Sequence, residues 1–161
     1  MQTAIYVAGG IALALGGIGG ATTPLTPWYH ALKKPPWQPP NWLFGPAWSL
    51  ILAGAATAAV FAWNAADAEG RTDLIIAYAV NAVFFVMWSP LFFMAKRPDW
   101  AMIEWPFLWG SVAAVTWVVF SQSPTGALFV LPYLAWVSFA GILNRAIVAR
   151  NAPFGRREQT A

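Results

Sequence analysis

The chain has 161 residues, about one domain, yet 59% of them are apolar and only 9% charged, against the roughly 25% charge of a soluble domain. So few charges cannot cover a soluble surface. With no cysteine and a single histidine, His30, disulfides, thiolate and multi-histidine metal sites and any histidine triad that omits His30 are excluded, and the net charge of +3 sits in short junctions rather than along a nucleic-acid-binding face.

Hydropathy predicts an all-α integral membrane protein, a single domain over 1–161, with five transmembrane helices at about 3–21, 42–66, 73–95, 99–120 and 125–148. The first span has neither the basic start nor the short apolar run of about 7–15 residues that mark a secretory signal, and it reads as retained. Small residues recur along it at Ala8, Ala12, Gly16 and Gly20, a stripe that serves equally for packing inside the bundle or for a dimer contact. The long loop 22–41 follows, where Pro24, Pro27, Pro35, Pro36, Pro39 and Pro40 forbid a continuing helix. The third span places Asn81, Phe84, Phe85 and Trp88 on one helical face. In the fourth, Trp105 and Trp109 share a face, which Trp100 opposes. The fifth carries Trp136, Ala140 and Leu143 at helical spacing, a ring followed by a gap, and a tail runs from 149 to 161.

Prolines interrupt four spans, at Pro46, Pro90, Pro106 and Pro132. Each removes an amide donor, and kinked helices bow around a cavity. Pro46 and Pro106 lie near helix starts, so the principal kink is expected at Pro132. Glu104 lies inside the fourth span and Arg145 at a similar depth in the fifth. The two are placed to pair across the bundle, although snorkelling of Arg145 to the headgroups is the favoured reading.

Charge sidedness sets the orientation. Lys33, Lys34, Lys96, Arg97, Arg145, Arg150, Arg156 and Arg157 share one side, whereas the other has Arg71 among Asp67, Glu69 and Asp73. The positive-inside rule then puts the loop and the C-terminus in the cytoplasm and the N-terminus outside. The lack of a basic amphipathic presequence tilts the location toward a bacterial envelope membrane rather than the mitochondrial outer membrane. The 11 tryptophans divide in the same frame. Trp28, Trp37, Trp42, Trp63 and Trp105 suit interfacial anchoring, while Trp48, Trp88 and Trp136 lie deeper and suit the wall of a site.

The loop pattern Trp28-Tyr29-x-x-Leu32-x-Lys34-Pro35-x-Trp37-x-Pro39-Pro40-x-Trp42, then Gly45-Pro46-x-Trp48, resembles the signature of the TspO/translocator protein family, the tryptophan-rich sensory proteins. The likeness continues through Trp88-Ser89-Pro90-Leu91-Phe92-Phe93 and ends with Pro132-Tyr133-Leu134-Ala135-Trp136 and Leu143-Asn144. It implies a five-helix bundle, a homodimer, and a ligand cavity under the long loop. It also implies flat hydrophobic ligands: porphyrin, haem, sterols or aromatic drugs. Two tryptophans to which some bacterial relatives owe light-dependent porphyrin degradation match Trp48 and Trp136. Family lining positions match Phe44, Gly45, Ala47, Trp88, Trp100, Ile103, Phe107, Ala140 and Leu143, and the candidate ligand contacts further include Trp28, Trp37, Trp48, Asn81, Phe85 and Trp136. Phe85 stands where many relatives have Asn, leaving Asn81 as the amide on that face. Arg145 stands where the animal cholesterol motif needs tyrosine, which argues against sterol recognition by that motif.

The expected function is a membrane receptor or sensor for tetrapyrroles, with indoles stacked on the macrocycle and Lys33, Lys34 or His30 meeting its propionates at the mouth. No bound metal or obligatory cofactor is expected, and porphyrin or haem enters as ligand. A light-dependent porphyrin-degrading enzyme using Trp48 and Trp136 is the alternative. A transporter of tetrapyrroles or lipids ranks third, because the chain shows no inverted repeat.

Overall fold

The computed structural model of the chain describes residues 2–155, so Arg156 and Arg157, which entered the orientation argument, lie outside the described residues. In chain order it contains α1 (Gln2–Ala21), α2 (Pro27–Ala31), α3 (Asn41–Ala65), α4 (Ala68–Ser89) continuing into a π-helical turn (Pro90–Met94), α5 (Pro98–Gln122) and α6 (Pro124–Asn151). Five of these are long and apolar enough to cross a membrane: α1, α3, α4 with its π-turn, α5 and α6. No strand occurs among the described residues.

Two helices outrun the apolar runs that predicted them. α4 begins at Ala68 rather than near 73, because the Asp67 side chain accepts the Gly70 amide at 2.9 Å and caps the helix. The charged residues Glu69, Arg71 and Asp73 are therefore helical, and the charge boundary marks the edge of the hydrocarbon layer, not the end of the helix. α6 opens the same way, with Ser123 Oγ accepting the Gly126 amide at 3.1 Å and Pro124 in the first turn. It runs on to Asn151, past the expected end at 148.

The spans form a ring in the order α1, α3, α6, α5, α4, with α4 returning to touch α1 and α3 reaching across to α5. Away from the long loop the ring is solid. Ala58 and Ala62 of α3, Val112, Val115 and Val119 of α5 and Val130 of α6 are completely buried there. Lipid tails are as apolar as these side chains, so close van der Waals contact, not escape from water, holds the helices together. Small residues supply that contact. At Gly54 a Cβ would lie 2.6 Å from the Phe129 carbonyl oxygen, so α3 and α6 approach this closely only with glycine there.

α1 packs differently, with no fully buried residue. Its Ala8, Ala12, Gly16 and Gly20 all line the cavity described below, and a Cβ on Gly16 would lie 3.4 Å from Leu52 Cδ1. The stripe therefore faces the cavity between the helices.

α6 remains helical through Pro132, and the departure from α-geometry falls instead at Pro90. Pro90 has no amide to offer the Val86 carbonyl, and the helix widens into the π-turn, where the Ala95 amide donates to the Pro90 carbonyl at 2.8 Å. This turn brings both Phe92 and Phe93 into the interior, and the chain leaves through Lys96 in a left-handed conformation (φ 54°).

Loop 22–41 is folded back on the bundle, with Pro27 starting the short α2. Trp28 meets Phe92 edge-on at 6.3 Å and Trp37 meets Phe139 at 6.0 Å. At its far end the Asn151 carboxamide pairs with both backbone groups of Lys33, accepting its amide at 2.8 Å and donating to its carbonyl at 2.8 Å. Asn151→Ala removes both bonds. At about 0.5–1.5 kcal/mol each, their loss is expected to speed hydrogen exchange in the 26–38 segment about tenfold, while the core of α5 keeps its protection. Unchanged exchange around Lys33 would show that the clamp contributes nothing.

Candidate functional site

Toward the loop the ring is hollow. A cavity of about 1040 Å³ lies between α1, α3, α4 and α6, roofed by the loop, with α5 reaching it through Trp105 and Leu108. The widened end of α4 and the glycine-rich α1 border this space. α1 contributes backbone, methyl groups and the aliphatic side chains of Ile5 and Leu13, so the aromatic surface comes from the opposite walls.

Trp48 stands at the centre of that surface. Its ring meets Phe85 at 5.3 Å, Tyr133 at 6.1 Å and Trp136 at 6.4 Å, all edge-on. Trp136 in turn meets Phe44 at 5.8 Å and Phe139 at 5.5 Å. Edge-to-face contact is the favourable arrangement for aromatic quadrupoles, and it holds the two indoles at a fixed angle. Trp88 stacks on Phe92 at 5.3 Å. Trp105 donates its indole N–H to the Val137 carbonyl at 2.8 Å and lies flat against Gly141, where a Cβ would overlap the indole.

The cavity-lining residues of the roof are polar but uncharged. The Tyr29 hydroxyl donates to Asn41 Oδ1 at 3.0 Å and accepts from Gln38 Nε2 at 3.3 Å. Burial pushes the Tyr29 phenol above its ordinary range, partly offset by the Gln38 bond. The Lys34 ammonium lies 4.3 Å from the Tyr29 ring centroid and donates to the Tyr29 carbonyl at 2.5 Å. Burial lowers its pKa.

The chain itself matches a known family over nearly its whole length: residues 4–150 fit the model of the TspO/MBR family. The chain belongs to the TspO/MBR family. It is 34% identical over 148 residues to protein CrtK of Rhodobacter capsulatus, covering 91% of this chain and 92% of the relative. It is also 34% identical to the tryptophan-rich protein TspO of Chlorobaculum tepidum (88% and 92%) and to the translocator protein of Bos taurus (73% and 70%).

In this TspO/MBR chain, eight of the expected ligand contacts line the cavity: Phe44, Gly45, Trp48, Phe85, Trp88, Trp136, Ala140 and Leu143. The others do not. Trp100, Ile103 and Phe107 lie on the outer face of α5, each about half exposed or more. Trp100 carries the Arg97 guanidinium at 4.1 Å, and Phe107 stacks on Phe84 at 5.8 Å. Trp28 and Trp37 pack outside the cavity on Phe92 and Phe139, and Ala47 misses the wall beside Trp48. Asn81 is buried within the bundle, where Nδ2 donates to Ser111 Oγ at 3.0 Å and Oδ1 accepts the Tyr133 hydroxyl at 3.2 Å. Both ends of its amide are thus used between helices, and it offers the cavity nothing.

Other expectations change as well. Trp105 is a wall residue rather than an interfacial anchor, and Gly141, one helical position after Ala140, was the sequence signal for it. Trp109 donates to Ser138 Oγ at 2.8 Å, so the two indoles do share the α6-facing side that Trp100 opposes. Glu104 is buried without a hydrogen-bond partner, and the ion pair found among the described residues joins Arg97 to Asp99. Arg145 is exposed, which excludes the Glu104 pairing and agrees with snorkelling. His30 is exposed and off the cavity wall. Lys33 and Lys34 do not line it either. Gln38 and Asn41 were not expected at the site and Tyr29 stood only as part of the loop pattern, although three polar side chains amid loop prolines were a usable cue.

Proposed function

We propose that this TspO/MBR protein is a membrane receptor that binds a flat hydrophobic ligand, a porphyrin-type tetrapyrrole, in the aromatic cavity, which opens toward the cytoplasmic side by the positive-inside rule. The observation that carries this reading is the Trp48–Trp136 corner with Phe44 and Phe85, set in a 1040 Å³ apolar space. Pockets of about 300–1,000 Å³ hold drug-sized ligands. A planar macrocycle gains most where rings already present fixed faces and edges. Titration of the purified protein with protoporphyrin IX, as the free acid and as the dimethyl ester, is expected to quench tryptophan fluorescence saturably at micromolar concentration. The absence of saturation with either form would reject the reading.

Light-dependent degradation of the bound porphyrin is the second reading, supported by two indoles in edge contact at 6.4 Å in the same wall. On illumination in air, the porphyrin band is expected to bleach several-fold faster with the wild-type protein than with Trp136→Phe. Equal rates would leave only binding.

A further inference from the structure

The cavity is longer than its aromatic part. On α3 its lining runs from Asn41 to Phe61, about 30 Å along the helix at 1.5 Å per residue. The other walls stop sooner: α4 and its π-turn contribute only residues from Phe85 onward, α5 only Trp105 and Leu108, and α6 only residues from Trp136 onward. All of these lie in the loop-side part of the bundle. Beyond Leu52 the space is therefore a seam between α1 and α3 alone.

The chemistry of the wall changes with it. From Ser49 to Val60 on α3 and from Ile5 to Gly17 on α1, every lining residue is Gly, Ala, Ser, Thr, Val, Leu or Ile. The two hydroxyls are spent on their own helix, Ser49 Oγ donating to the Gly45 carbonyl at 3.0 Å and Thr57 Oγ1 to the Ala53 carbonyl at 2.8 Å. Hydrocarbon is what the seam presents. α1 does not fill it, since a Cβ on Gly9 or Gly17 would meet nothing within 4 Å. The seam is also open sideways, where Leu13 is 79% exposed and Ala53 is exposed as well, and it ends at Phe61, whose ring is stacked on Phe129 at 5.5 Å. A macrocycle finds no ring to stack on here. A flexible hydrocarbon chain finds a long aliphatic wall.

We propose that the ligand is a tetrapyrrole bearing a long hydrocarbon chain, with the macrocycle against the Trp48–Trp136 corner and the chain in the α1–α3 seam. This rests on the reading of the aromatic part as a tetrapyrrole site. Bilayer tails are as apolar as the seam, so the chain gains by close contact rather than by leaving water, and the gain is modest. Attachment to a bound macrocycle holds the chain beside the seam at high effective concentration, which favours it over the untethered chains of the bilayer.

The test compares protoporphyrin IX dimethyl ester with its methyl dodecyl and methyl octadecyl counterparts, bound to the protein in phosphatidylcholine nanodiscs, with partition into protein-free nanodiscs subtracted. From Leu52 to Phe61 is about 14 Å, the reach of a dodecyl chain. The dodecyl ester is expected to bind about fivefold tighter than the dimethyl ester, and the octadecyl ester no tighter than the dodecyl. Gly9→Leu and Ala56→Leu, which place a side chain in the seam, should abolish the gain of dodecyl over methyl. Gly10→Leu, the same change on a neighbouring residue off the wall, should keep it. The proposal is overturned if the dodecyl ester gains nothing, if the gain keeps growing through octadecyl, or if Gly9→Leu and Ala56→Leu preserve it as Gly10→Leu does; the seam then belongs to bilayer lipid or to a second copy of the chain. Failure of all three esters to saturate would instead reject the tetrapyrrole site itself.

Discussion

Gly141→Ala is expected to cost about 1–3 kcal/mol of stability and to weaken ligand binding several-fold. In an ordinary helix the same change would stabilise, by about 0.5–1 kcal/mol. Here the added Cβ overlaps the Trp105 indole, whose N–H is fixed to the Val137 carbonyl one turn earlier. α6 cannot retreat, because it is pinned against α3 at Gly54 and Phe129. The indole must swing, and the free volume beside it is the cavity. Thermal unfolding in one detergent and porphyrin titration read the two effects together. In the Trp105→Ala background the destabilisation by Gly141→Ala should vanish, since nothing remains to collide with. Equal melting temperature and affinity for Gly141→Ala and wild type would sink the argument.

Asn81→Leu separates a structural amide from a ligand contact. The substitution leaves the Tyr133 hydroxyl, buried and bonded only to Asn81 Oδ1, without an acceptor. Ser111 still donates to the Leu108 carbonyl at 2.7 Å, so the loss falls mainly on Tyr133. An orphaned buried donor costs about 1–3 kcal/mol, and the expected loss is about 2 kcal/mol. Adding Tyr133→Phe removes the orphan and should recover part of it. Because Asn81 does not line the cavity, porphyrin affinity well below the melting temperature is expected to change less than about twofold, a small step on the affinity scale. A large affinity loss without loss of stability would return Asn81 to the ligand.

The spans were legible because a bilayer demands long apolar runs, a constraint that composition alone expresses. Sidedness of side chains was less so. In a lipid-facing helix both faces are apolar, and periodicity places Phe84 and Phe85 on one stripe without telling that Phe84 turns outward to Phe107 while Phe85 turns in to Trp48. Tryptophan adds to the ambiguity, since an indole suits a headgroup belt and a cavity wall alike, and Trp105 was decided by the hollow at Gly141. The prolines showed where hydrogen bonds are missing but not which helix would yield. Pro132 lies within a helix held along its length by α3 and α5, whereas Pro90 lies near the end of its span, where the chain is free to widen.

That widening at Pro90–Met94 also works as a phase adjuster. An α-helix advances about 100° per residue, and the π-turn accommodates one residue beyond the ordinary turn. A chain lacking a single residue between 90 and 94 would close to regular α-geometry with everything beyond kept near its present direction, because five residues of the wide turn sweep about the angle of four α-helical ones. The loss would fall on the segment itself, which has one residue fewer with which to send both Phe92 and Phe93 inward, while α5 would still be launched in about the same direction. A one-residue deletion here should therefore be better tolerated than one in the middle of α5 or α6, where everything beyond would turn by about 100°.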